Sequence, residues 1–98
     1  MIRLELSAFV EADLDQIAAF IADDNHGRAV TFIQDIRAKF RVIQRTPLLF
    51  QIRPDIGEEA RMATVGHYAT LFRVIESVMR IERVVYGGRD LHDVFDAP

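Results

Sequence analysis

"SAFVEADLDQIAAFIADDNHGRAVTFIQDIRAKFRVIQRTP", residues 7–47, decides the fold. Its first half places Val10, Leu14, Ile17 and Ile21 at spacings of four, three and four, with Phe20 widening the stripe. That period puts them on one face of a helix. Ser7 stands where an N-cap belongs, and Asp23-Asp24-Asn25 closes the run. After "HG", residues 28–45 set Ala29, Ile33, Ile36, Phe40 and Ile43 in a second seam, which Pro47 stops. The connection is short, so the two helices are predicted to form an antiparallel hairpin.

Strand patterns flank this hairpin. Residues 2–6, "IRLEL", alternate, with Ile2, Leu4 and Leu6 predicted inward. "PLLFQIRPDIGEE" (47–59) is irregular, carrying two prolines and a glycine. Three strand-like runs follow, at 60–66, 67–75 and 78–86, with turns at Gly66-His67 and Glu76-Ser77. In the last run Met79, Ile81, Arg83 and Val85 are predicted on one face, with Arg80, Glu82, Val84 and Tyr86 on the other. The order is β-α-α-β-β-β: a single α+β domain over 1–98, its antiparallel sheet packed by an N-terminal helical hairpin.

"VVYGGRDLHDVF", residues 84–95, reads as the end of the last strand, two glycines that free the backbone, and a tail without a helix. A phosphate loop would need wider glycine spacing and a helix behind it. Tyr68 and Tyr86 read as core or sheet-edge aromatics, His67 as hairpin chemistry and His26 as connection chemistry.

Composition narrows the function classes. Half of the 98 residues are hydrophobic and 28% charged, an ordinary globular balance. Without cysteine there is no disulfide, thiolate metal site or thiol nucleophile. A net charge of −3 argues against avid, sequence-independent nucleic-acid binding. No apolar run is long enough to span a bilayer and the N-terminus has no signal-peptide core, so a cytoplasmic protein with no membrane partner is predicted. No metal or cofactor is expected.

Charge is segregated. Glu11, Asp13, Asp15, Asp23 and Asp24 lie on the first helix; Arg28, Arg37, Lys39, Arg41 and Arg45 lie on the second, against Asp35. Arg37, Arg41 and Arg45, spaced by four, form either a solvated stripe attracted to the first helix or a docking strip for an acidic peptide or phosphate.

"EADLDQIAAFIADDN" with "RAVTFIQDIRAKFRVIQRTP" resembles the two helices of the RelE/ParE superfamily of bacterial type II toxins. The run from Arg61 to Tyr68 and the closing "ERVVYGGRDL" carry the resemblance through the sheet. It implies a toxin whose partner is a cognate antitoxin, with operator DNA reached only through that antitoxin. One branch of the superfamily cleaves mRNA on the ribosome; the other poisons DNA gyrase.

Metal-independent RNA cleavage needs an acid, a base and cationic groups converging on one phosphate. Arg61 and Arg89 match the nuclease branch's arginines. However, Lys39 is the only lysine, and Phe95 stands where a proton-carrying tyrosine would fall. A phenyl ring exchanges no proton, and His92 is off the family position. The sequence therefore looks more like the ParE branch, with no catalytic residue of its own. Ribosome-dependent mRNA cleavage is the alternative. Arg61, Arg83, Arg89 and His92 are the candidate target contacts. Leu48, Leu49, Phe50 and Ile52, with Arg37, Arg41 and Arg45, are the candidate antitoxin contacts. Arg83 also has a structural reading, paired with Glu82, Asp90 or Glu76.

Overall fold

In the computed structural model, residues 2–95 are described. The elements are β1 (Arg3–Leu6), α1 (Val10–Ala22), α2 (His26–Arg45), a 3-10 turn (Pro47–Leu49), β2 (Arg61–Val65), β3 (Tyr68–Ile75), β4 (Val78–Tyr86) and α3 (Leu91–Phe95). The expected α+β order is present, with one addition at the C-terminal end.

The sheet runs β1-β4-β3-β2. The β2-β3-β4 meander is antiparallel as expected, but β1 lies parallel to β4, from Arg3 opposite Val78 to Leu6 opposite Ile81, so the sheet is mixed. Alternation along a strand fixes which face is buried but not which neighbour it takes. At this edge Ile2 and Leu4 pack on the core, whereas Leu6 is 38% exposed rather than inward.

The hairpin buries Val10, Leu14 and Ile17 of α1 and Phe32, Ile36, Phe40 and Ile43 of α2 against Ala63, Phe72, Met79, Ile81 and Val84. Apart from Phe32, which is buried while the expected Ile33 is only partly so, these helix residues belong to the stripes predicted for the two helices. Their ends differ from the prediction. Asn25, taken as a stop for the first helix, is the N-cap of the second, its Oδ1 accepting the Arg28 N–H at 3.0 Å. Ser7 does not cap α1; buried, it accepts the Phe9 N–H and donates to the Glu82 carbonyl at 2.6 Å. A tertiary acceptor has drawn the hydroxyl away from the helix end.

That carbonyl belongs to an irregularity in β4. Leu71 is opposite Arg83 and Phe72 opposite Ile81, leaving Glu82 as the extra residue of a β-bulge. The bulge inverts the alternation: Ile81 and Val84 both join the hairpin core, and Val85 joins the opposite face. Strict alternation, which placed Ile81 with Arg83 and Val85, fails here for that reason.

The second face of the sheet is also covered. Ile56 and Ala60 from the 47–60 connection, with Val94 and Phe95 of α3, pack on Ala69, Leu71 and Val85. The tail read as helix-free forms the five-residue α3, begun by Asp90 accepting the His92 N–H. The two glycines before it supply room rather than φ freedom: neither has a positive φ, and a Cβ on Gly88 would lie 2.5 Å from Tyr86 Cε2.

Candidate functional site: two exposed patches and a committed set of arginines

The fold sets Arg89 and His92 on one pocket with Arg53 and Asp55, but keeps Arg61 apart from them. Arg61 opens β2 opposite Phe72, whereas Arg89 lies three residues beyond Tyr86, which aligns with Tyr68 and Val65. The four steps from Arg61 to Val65 alone separate Arg61 from Arg89 by roughly 13 Å along the strand. The Arg61 guanidinium donates to the carbonyls of Leu48 and Phe50, so it fastens the 3-10 turn to the sheet edge.

Arg83 has a different partner from those expected. Its Nε and Nη2 each donate to Asp13 of α1 at 2.9 Å, and the same carboxylate accepts the Val84 N–H at 3.0 Å, just past the bulge. Asp13 is 7% exposed, and the hydrogen bonds to its carboxylate hold the Arg83 guanidinium above the usual arginine range despite partial burial. The guanidinium also lies 5.0 Å from the centroid of the Phe9 ring. The pair therefore clamps α1 to the bulge of β4. Its signal in the sequence was an acid at the buried edge of an amphipathic stripe, which could have been noticed beside Leu14.

On the second face Arg73 donates to Glu82 at 2.9 Å and to the Glu58 carbonyl at 3.2 Å, with its guanidinium 4.3 Å from the centre of the Phe95 ring. Arg80 donates to the other oxygen of Glu82 at 2.9 Å. Phe95, the residue at the nuclease-tyrosine position, is thus a buried packing residue. His92 is exposed on α3, its Nδ1 3.8 Å from Asp93.

Among the candidate antitoxin contacts, Arg37 is a hairpin clamp, bonding Glu11 at 2.7 and 3.0 Å. These bonds lower the Glu11 carboxyl below its ordinary value and raise the Arg37 guanidinium. Arg41 donates to Gln44, whose own amide donates to the Ile2 carbonyl. Arg45 lines an apolar groove with Ile2, Pro47, Leu48, Leu49, Val74 and Glu76. Leu48 and Leu49 are 66% and 81% exposed there, with Ile75 exposed on the adjoining strand end. Phe50 instead packs edge-on against Phe72 beneath Lys39. Ile52 is exposed but bridges to Arg61 outside that groove.

A second patch lies at the other end of the sheet. Between α1 and the end of β4 a cleft of about 170 Å³ is lined by Gln16, Ile17, Phe20, Tyr68, Tyr86 and Arg89, among others. Phe20 is 73% and Tyr86 54% exposed, and Tyr86 meets Tyr68 edge-on. The sequence reading set Tyr86 among core or sheet-edge aromatics and Phe20 on the helix stripe, and a position on such a stripe does not distinguish its centre from its rim.

Among the described residues no helix is long and apolar enough to cross a membrane, and no group of three His, Cys, Asp or Glu could hold a metal. No curated protein matches the chain. A solved chain from the chromosomal ParDE TA system from P. aeruginosa has the same fold, with a TM-score of 0.76 and 24% identity over 88% of this chain and 96% of that one. The family model described as "ParE toxin of type II toxin-antitoxin system, parDE" matches residues 4–91. The chain belongs to the ParE toxin family of type II toxin-antitoxin systems.

Proposed function

We propose that this toxin acts by binding DNA gyrase and blocking replication, in the cytoplasm, and that its antitoxin neutralises it by covering the Leu48–Leu49 groove. The family is one half of a two-component system, so an antitoxin is its partner. Gyrase as target is supported by membership of the ParE branch.

The observation that carries a binding mode over a chemical one is how the arginines are committed. Arg61 holds loop carbonyls, Arg73 shares Glu82 with Arg80 above the Phe95 ring, and Arg83 holds Asp13. They act as fasteners of the fold instead of converging on one phosphate position. The groove for the antitoxin is aliphatic with Arg45 and Glu76 on its rim, which suits the apolar face of an amphipathic helix.

A supercoiling assay with purified gyrase tests this reading. The toxin is expected to inhibit supercoiling, and the antitoxin to restore it. Normal supercoiling, with translated messages cut in cells expressing the toxin, would sink it.

A further inference from the structure

We propose that the cleft framed by Phe20, Tyr86 and Arg89 is the surface that grips the toxin's protein target, taking a segment that presents a carboxylate beside an apolar side chain. This rests on the reading of the chain as a toxin with a protein target, but not on which protein that is.

Charge accounts for the carboxylate. The cleft is lined by one acid, Asp13, and one base, Arg89. Asp13 is already engaged, accepting two N–H groups of Arg83 and the N–H of Val84. Arg89 bonds the Tyr86 carbonyl only through its backbone N–H. Its exposed guanidinium meets no side-chain partner among the described residues. Among the described residues the cleft therefore offers one uncommitted charge, and it is positive.

Shape accounts for the apolar neighbour. Phe20 and Tyr86 flank a floor of buried Ile17, Val84 and Val85. Exposed aromatic rings and an arginine around a desolvated pocket are the residue types that dominate binding energy at protein interfaces. Local structure fixes their placement. Tyr86 is braced by Tyr68, which is braced in turn by Phe32 at 5.6 Å. Gly88 lies so close to the Tyr86 ring that a side chain would displace it, and the turn then delivers Arg89 to the rim.

The test is growth arrest on expression of the toxin alone, with antitoxin affinity and melting temperature measured for the same variants. Phe20→Ala and Arg89→Ala are expected to raise the inducer level needed for arrest at least tenfold, and Arg89→Glu further. Arg89→Lys is expected to retain part of the activity. Antitoxin affinity and melting temperature should stay near wild type, because both side chains are exposed. Variants that arrest growth like wild type overturn the proposal, as does Arg89→Glu no weaker than Arg89→Ala. Equal loss of antitoxin binding would give the cleft to the antitoxin, and a wild-type chain that arrests nothing would leave no target to grip; each rejects the proposal. Failure of the gyrase reading looks different: wild type arrests growth, supercoiling is untouched, and Phe20→Ala still relieves the arrest.

Discussion

The two exposed patches differ in what holds them. Leu48 and Leu49 project from a 3-10 turn tied to the sheet by one arginine on two backbone carbonyls. Phe20 and Tyr86 stand beside the partly buried Asp13–Arg83 ion pair and an edge-on aromatic stack. The first is aliphatic and open on a long irregular connection, so it can adjust to a partner helix. The second is aromatic, with Tyr86 resting edge-on against Tyr68 before any partner arrives, which lowers the ordering cost of binding. A surface that must accept its neutraliser and one that must recognise a target would be built differently in this way.

The ion pair beside the second patch should show the largest effect. Asp13→Ala leaves the Arg83 guanidinium and the Val84 N–H without their acceptor, and is expected to cost about 3–5 kcal/mol in unfolding free energy. Urea denaturation checks it. A cost within the range of an exposed pair, below about 1 kcal/mol, would mean that the clamp does not hold α1.

On the first patch, Leu49→Asp places a charge in the aliphatic groove. It should weaken antitoxin binding about 100-fold, or about 2.7 kcal/mol, while leaving growth arrest by free toxin intact. A matched fall in both would erase the distinction between the patches.

Gly88→Ala probes the second patch at smaller cost. The added methyl must push the Tyr86 ring aside. Because that ring can swing into solvent, stability should fall by less than about 1 kcal/mol, with growth arrest weakened and antitoxin affinity unchanged.

The smallest effect lies on the hairpin, away from both patches. The Glu11 carboxyl, held below its ordinary 4.5 by the hydrogen bonds from Arg37, stabilises the fold fully above that value. The contribution is lost as pH falls through the lower folded value. Both side chains are exposed, so at most about 1 kcal/mol is involved. Comparing urea midpoints at pH 7 and pH 3, Arg37→Ala should lose slightly less stability on acidification than wild type does.

Much of this architecture could be read in the sequence, and the unread parts share a cause. The hairpin stripe from Val10 to Ile43 and the meander are periodic, and period follows from local chemistry. The parallel β1, the Glu82 bulge and the covering α3 are choices of neighbour, which one strand's pattern does not contain. The candidate residues divide the same way. Leu48 and Leu49 stand out as apolar residues in an irregular segment, and they are exposed. Arg83 looked like a surface contact until a partner 70 residues away claimed it. Phe20 looked like core, because a stripe does not show where the sheet beneath it ends.

The difference between the patches is tested most directly by calorimetric titration of the cognate antitoxin into three folded variants. Leu49→Asp is expected to bind about 100-fold more weakly than wild type, with Phe20→Ala and Arg89→Glu within about threefold of it. The reverse ranking, or an equal loss in all three, would contradict the separation of neutraliser and target onto two surfaces.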